Sequence, residues 1–279
     1  MNKPIIVAEI GINHNGDLTM AKNMIALAKN FGADFVKFQT RTPELCVPEH
    51  LKATTKNTIF GPMNYLEYRR RLEFDEGQYA KIDTYCRLLG IPWYSSPWDE
   101  KSLELITKFD LPYIKVASAC LNDIPLLDKI RRTGIMTIIS TGMSDKVQID
   151  RAIEVLGGRL TYILHTTSSY PTPVEEMNMN KILSLKRLYG DKYKIGFSSH
   201  CEHIIFIVQA YVMGAEMLEF HITMDRNLPG SDQAASIGPT GFDRIIKHLA
   251  NIRGGWGDGE LKLQGSEIPV QKKLRRVQD

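Results

Sequence analysis

Eight times along this chain a short run rich in β-branched and aromatic residues gives way to a segment with the helical period. The runs are Ile5–Ile10, Asp34–Gln39, Pro92–Ser96, Tyr113–Val116, Met136–Ser140, Leu160–His165, Tyr193–Ser198 and Met217–Ile222. Met20, Met24, Leu27 and Phe31 fall on one face of the first intervening segment, and Tyr79, Ile82, Cys86 and Leu89 on one face of the next. Phe242, Ile245, Leu249 and Ile252 repeat the spacing after the last run. Asp17 stands before the first helical segment, and Gly32, Gly90 and Gly134 stand at ends. Strands this apolar, each followed by a helix, imply a parallel sheet covered by helices. Eight such units in about 250 residues predict a single-domain α/β fold, the closed (β/α)8 TIM barrel.

An open dinucleotide-binding sheet fits less well than a barrel, because the first turn reads Glu9-Ile10-Gly11-Ile12-Asn13-His14 instead of Gly-x-Gly-x-x-Gly. Gly254-Gly255-Trp256-Gly257-Asp258-Gly259 follows a helix and reads as a loop. The barrel is expected over residues 1–253, with a tail over 254–279. One connection breaks the rhythm: residues 40–75 separate strand two from its helix, with a short helix expected over Asn64–Leu72. Loops of that length are usually functional lids or disordered segments.

Composition narrows the classes of function. With 35 Lys and Arg against 32 Asp and Glu, the net charge of +3 is too small for a broad nucleic-acid footprint. No apolar run approaches the roughly 18 residues of a membrane span. The first strand begins too early to leave room for a signal peptide. Cys46, Cys86, Cys120 and Cys201 are scattered, without a C-x-x-C pair, so neither a disulfide frame nor a cysteine zinc site is expected. The expectation is a cytoplasmic protein with reduced thiols.

In a barrel, catalytic groups sit where the strands end. Here every strand end is polar. Glu9 is followed by Asn13 and His14; strand two carries Lys37 and Gln39; strand three ends in Ser95 and Ser96. Lys115 and Ser118 come from strand four, Ser140 from five, His165 through Tyr170 from six, Ser198 to His200 from seven, and Glu219 with His221 from eight. A single lysine can snorkel and a single histidine can be a satisfied core group. Eight polar ends together point to a site, because unpaired charge there costs several kcal/mol. Two lysines and several hydroxyls suit a small phosphorylated anion. His200 and His221 end adjacent strands and can share a metal such as Mn2+, Mg2+, Fe2+ or Zn2+; two hydrogen-bonded rim histidines is the alternative. Glu9 is placed to act as acid or base, or to hold a metal-bound water. His50, Cys201, His203 and His248 read as structural or solvated.

The motifs resemble the sialic acid (N-acetylneuraminate) synthase family. The resemblance rests on Ala8-Glu9-Ile10-Gly11-Ile12-Asn13-His14-Asn15-Gly16, Lys37-Phe38-Gln39, Ile114-Lys115-Val116-Ala117-Ser118 and Asn122-Asp123-Ile124-Pro125-Leu126-Leu127. Ser140-Thr141-Gly142-Met143 and Ser169-Tyr170-Pro171-Thr172-Pro173 complete it. That family condenses phosphoenolpyruvate with an open-chain aldose to give a 2-keto-3-deoxy sugar acid of the nonulosonate type and phosphate. The resemblance implies that Lys37 and Ser96 hold the phosphoenolpyruvate carboxylate, with Gln39 nearby. It implies Lys115, Ser118, Ser140, Ser168 and Ser198 for the phosphate, and His200 and His221 for a divalent metal, typically Mn2+. Glu9 would manage protons and water, and Tyr170 and Asp232 would face the sugar.

Four positions differ from the family's usual pattern. His165-Thr166-Thr167 stands for His-Cys-Thr, Ser198-Ser199-His200 for Ser-Asp-His, Phe220 for a Lys or Arg, and Gly230-Ser231-Asp232-Gln233 for a Gly-Pro-Asp pattern. Ser266-Glu267 and Arg275-Arg276 resemble the family's lead into a C-terminal antifreeze-like domain, which reaches across a dimer to the acyl-amino group of the sugar. That domain is expected to be absent here. The reaction class is therefore implied more firmly than N-acetylmannosamine as substrate, and a homodimer more firmly than its domain-swapped form. Two other readings of the residues stay open: a Schiff-base pyruvate aldolase using Lys115 or Lys37, and a sugar-acid-binding paralogue without turnover.

Overall fold

The eight apolar runs close into a ring. The computed structural model describes residues 2–277. Its parallel strands are β1 (Ile5–Gly11), β2 (Phe35–Thr40), β3 (Trp93–Pro97), β4 (Ile114–Val116), β5 (Thr137–Ser140), β6 (Leu160–His165), β7 (Lys194–Ser199) and β8 (Met217–His221). Consecutive strands pair in parallel and β8 returns to β1, so the barrel has no open edge. Each strand falls within one residue of its expected bounds at either end.

A helix follows every strand: Leu18–Asn30, Glu76–Leu89, Glu100–Ile106, Ile124–Thr133, Lys146–Leu156, Asn180–Tyr189, Ile204–Val212 and Pro239–Gly255. The Asp17 carboxylate starts the first by accepting from the amides of Thr19 and Met20. Its buried face is Ala21, Met24, Ile25 and Ala28, with Met20, Leu27 and Phe31 only flanking it. The apolar stripe reads the helix slightly rotated, because the small alanines are what let it approach the strands. Asp75 and Gln78 form a capping box for the second helix, and Gly90 ends it in the left-handed region at φ 64. Burying a side chain such as Ile25 or Ile82 contributes about 1.5–3 kcal/mol, and truncation to alanine costs about 2–5 kcal/mol.

Strand side chains alternate in and out with period two. Val7, Tyr94, Ile138, Tyr162, Leu164 and Met217 pack together as a separate apolar plug inside the ring. One step further along the same faces come Glu9, Ser96, Ser140, Glu219 and then His221, all buried. Each strand thus enters the barrel apolar and leaves it polar, which places every costly group at the C-terminal mouth.

The long connection after β2 is ordered. It carries helical turns at Pro43–Cys46 and Glu49–Lys52, an antiparallel hairpin of Thr55–Thr58 with Gly61–Asn64, and a helix at Tyr65–Leu72. Asn64 caps that helix by accepting from the Glu67 amide. The hairpin was not expected, since its four-residue strands are polar and lack alternation. At the other end, Gly254 and Gly255 finish the last helix instead of opening a loop. Beyond it the chain is exposed, with a short helix at Ile268–Leu274. Among the described residues no helix is long and apolar enough to cross a membrane.

Candidate active site

The C-terminal mouth encloses a cavity of 270 Å³. Twelve of the residues assigned a role from the sequence line it: Glu9, Lys37, Gln39, Ser96, Lys115, Ser118, Ser140, Ser168, Tyr170, Ser198, His200 and His221. Asp232 lines an adjoining chamber of 350 Å³ that shares Gln39, Trp98 and Tyr170 with the first.

Barrel register explains the charged floor. Glu9 is level with both Lys37 and His221, and Glu219 is level with Ser198. Lys37 Nζ lies 2.7 Å from Glu9 Oε2, 3.8 Å from Glu219 Oε1, and donates to Ser96 Oγ at 3.3 Å. Lys115 Nζ lies 3.7 Å from Glu219 Oε1 and donates to Ser140 Oγ. Ser198 Oγ donates to Glu219 Oε1 at 3.0 Å, and Gln39 Nε2 to Glu9 Oε1 at 2.8 Å. Burial pushes Lys115 down to about 8, with Glu219 the main opposing influence. Burial raises Glu219, but Lys115 and then Lys37 outweigh it and hold that carboxyl below its ordinary value. Two lysines against two carboxylates make a balanced, desolvated grid whose ammonium groups face the cavity.

The imidazoles stand beside it, with ring centroids 5.5 Å apart. His200 Nδ1 lies 2.8 Å from the Thr167 carbonyl, which only accepts, so Nδ1 carries the proton and Nε2 keeps its lone pair. Tyr170 hydroxyl donates to that Nε2 at 2.9 Å. Burial, then His221, pushes His200 down to about 3, leaving it neutral. His221 Nδ1 is buried with no hydrogen-bond partner and lies 3.8 Å from Asp232 Oδ2. Burial raises Asp232, but His221 and the Ser231 hydroxyl hold it below its ordinary value. A neutral donor nitrogen and an orphaned one, flanked by Glu9 and Asp232, compose a nitrogen and oxygen set without thiolate, the kind that suits Mn2+, Mg2+, Fe2+ or Zn2+. Gly11 makes this closeness possible. At φ +54, a Cβ there would sit 3.1 Å from both Glu9 Oε1 and His221 Cε1.

Opposite lies a cradle of hydroxyls. A Cβ on Gly142 would fall 2.1 Å from Ser168 Oγ and 2.7 Å from Ser118 Oγ. Ser168 Oγ is buried and has no partner. With Ser140 and Lys115 alongside, these donors converge on a space shaped for an oxyanion.

Other strand-end groups do not enter. His14 stacks on Phe74 at 4.1 Å, accepts from the Gly16 amide and is pushed by burial down to about 3. Asn13 donates to the Ile222 carbonyl and Ser236; His165 bonds the Met177 carbonyl; Ser95 bonds Thr40. Phe220 turns outward against Phe242, and Ser199 bonds Cys201, so two of the departures from the family pattern lie away from the cavity. Cys201, Glu202 and His203 bring potential ligand atoms within 4.8 Å, but burial raises the Cys201 thiol away from thiolate. The sequence reading gave no role to three wall residues. Glu219, Arg41 and Trp98 lie two positions from His221, Gln39 and Ser96, so the same period-two logic would have found them.

Residues 24–261 match the NeuB family model. The chain is 33% identical to the N,N'-diacetyllegionaminic acid synthase of Campylobacter jejuni, covering 99% of this chain and 84% of that one. It is 34% identical to the human N-acetylneuraminate-9-phosphate synthase, covering 96% and 76%. Among solved structures, the N-acetylneuraminic acid synthetase of Leptospira borgpetersenii, in complex with citrate, superposes with a TM-score of 0.84 at 29% identity, covering 99% and 94%. The chain belongs to the NeuB family.

Proposed function

We propose that this chain condenses phosphoenolpyruvate with an open-chain aldose, adding water and releasing phosphate, to give a 2-keto-3-deoxy sugar acid of the nonulosonate type. The observation that carries the proposal is the convergence of Lys37, Lys115, the hydroxyl cradle, Glu9 and the two imidazoles on one cavity. The names of its relatives support it: they are synthases of legionaminic, pseudaminic and sialic acids.

Lys37 and Ser96, with Gln39 beside them, are assigned to the carboxylate of phosphoenolpyruvate, and Lys115, Ser118, Ser140, Ser168 and Ser198 to its phosphate. The enol carbon C3 attacks the aldehyde carbon, and the electron-poor C2 left behind takes up water. Glu9, held by Lys37 and Gln39, accepts the proton of that water. The ammonium groups and hydroxyls stabilise phosphate as it leaves the tetrahedral carbon. Tyr170 and Asp232 are assigned to the sugar. His200 and His221 fit a divalent ion, Mn2+ first and Mg2+ next, by the Nε2 lone pair that one offers to the Tyr170 hydroxyl and the orphaned nitrogen of the other; when bound, such an ion would supply Lewis-acid polarisation of a carbonyl.

The test is phosphate release from phosphoenolpyruvate across a panel of aldoses with Mn2+ present. Release above background with at least one aldose is expected; background with all of them rejects the proposal. One observation favours a second reading. Lys115, pushed down to about 8, approaches the free amine that a Schiff base needs. Trapping of pyruvate by borohydride on Lys115, insensitive to chelator, would select that aldolase chemistry instead.

A further inference from the structure

The adjoining chamber has two kinds of wall. Val47, Pro48 and Leu51 from the long connection are apolar, and Arg41 and Arg69 from the same connection also line the chamber. Nothing in the condensation itself requires two guanidiniums there. The Arg41 side chain is 8% exposed and lies 4.0 Å over the Trp98 ring. Its Nη2 donates to Gln39 Oε1, while Nη1 is buried with no hydrogen-bond partner. Arg69 is 10% exposed. Both share Glu73, whose Oε1 is 3.7 Å from Arg41 Nη1 and 4.0 Å from Arg69 Nη2, too far for hydrogen bonds. Glu73 itself is not part of the chamber wall.

Glu73 lies outside the chamber lining, while both guanidiniums, each carrying a positive charge, belong to it. Asp232, on the same chamber, lies 3.8 Å from His221 Nδ1 and also acts on Arg41, so it offsets part of that charge. Arginine cannot shed its proton, so that charge is fixed, and its planar fork matches an oxyanion. Arg69 lines the same chamber and reaches Glu73 only at 4.0 Å, so its N–H groups can meet a ligand. Gln39, Trp98 and Tyr170 border both chambers, so one molecule can span them, its aldehyde beside Glu9 and its far end beside the arginines.

We propose that Arg41 and Arg69 bind a negatively charged group, phosphate ester or carboxylate, at the end of the acceptor aldose remote from its aldehyde. This rests on the condensing reading, and it names the class of sugar that reading left unassigned. An uncharged acceptor would leave both arginines unmatched.

The experiment compares N-acetylmannosamine, its 6-phosphate and the matching uronic acid, with the same three forms of mannose, by phosphate release at saturating phosphoenolpyruvate and Mn2+. One anionic form is expected to exceed its neutral parent in kcat/KM by about 100-fold, as two charge-assisted hydrogen bonds imply. Whether phosphate or carboxylate wins identifies the group. In Arg69→Met the preference, taken as the ratio of charged to neutral kcat/KM, falls at least about tenfold, and Arg69→Lys restores part of it. Calorimetry of the sugar phosphate and the uronate with both variants reads binding without turnover. Equal kcat/KM for neutral and charged forms, or a preference unmoved by Arg69→Met, overturns the arginine assignment and leaves the condensing reading standing. Arginine-dependent binding without phosphate release from any acceptor supports the chamber and rejects the condensing reading. Neither binding nor release overturns both.

Discussion

Replacing Gly142 by alanine adds one methyl group to the floor of the hydroxyl cradle and tests whether that cradle holds phosphate. The new Cβ would lie 2.1 Å from Ser168 Oγ, 2.6 Å from Thr166 Cγ2 and 2.7 Å from Ser118 Oγ. Thr166 cannot yield by rotating without breaking its bond to the Ser198 carbonyl. The two serines can, but only by swinging their hydroxyls away. Losing two charge-assisted hydrogen bonds, each worth about 1.5–3 kcal/mol, removes at least about 3 kcal/mol, a hundredfold in affinity. The overpacking itself costs about 1–3 kcal/mol of stability, which for a chain of this size lowers Tm by about 2–4 °C per kcal/mol. Calorimetric titration with phosphoenolpyruvate reads the first effect, and a thermal melt the second. Ser168→Ala serves as the companion, deleting the orphaned hydroxyl without adding volume, and is expected to weaken binding about tenfold or more. Binding in Gly142→Ala within threefold of the parent chain, in a protein that melts cooperatively, would refute the cradle.

The other predictions concern the two remaining groups of the site. His200→Ala and His221→Ala should each lower Mn2+ affinity by more than the 10–100-fold that loss of an outer partner costs, measured by calorimetry; parental affinity in both rejects the ligand pair. Glu9→Gln should bind phosphoenolpyruvate but turn over about 100- to 10,000-fold more slowly, and near-normal turnover excludes its proton role. Lys115 is protonated below about pH 8 and loses its charge above it, so phosphoenolpyruvate affinity should fall as pH rises past 8. The same depressed value means that the unfolded chain binds more protons between about pH 8 and 10.5. Stability lost to burying the charged lysine at lower pH is therefore recovered across that window, by up to about 3 kcal/mol. A melting series over pH 8–10.5 on the parent chain and Lys115→Met checks the sign: the gain should appear in the former alone.

Much of this site could be read before any coordinates. A residue such as Glu9 or His221, polar at the end of an otherwise apolar strand, is informative because burial makes it expensive. Barrel symmetry then sends every strand end to the same mouth. Glu219 escaped assignment because it sits in mid-strand, where a charge is acceptable only beside partners from other strands. Its partners are Lys37, Lys115 and Ser198, on three different strands. The hairpin Thr55–Thr58 with Gly61–Asn64 left no pattern at all, because neither strand has a buried face to mark its period. The helix beside it was visible, but not that Arg69 on that helix would meet Arg41 across Glu73.

The order of the barrel strands and helices, the strand bounds to within one residue and the polar character of the strand ends were settled by the sequence alone. Those properties are local: they depend on period, capping and the cost of burying single side chains. Distances between groups far apart along the chain were decided by closure of the ring, which sets Glu9 level with Lys37 on one side and His221 on the other. The same closure fixed which nitrogen of His200 keeps its lone pair, and left Arg41 Nη1 buried without a hydrogen-bond partner. Hydrogen bonding and Coulomb interactions fall off over a few ångströms, so no spacing in the sequence can state them until the backbone has brought the partners together.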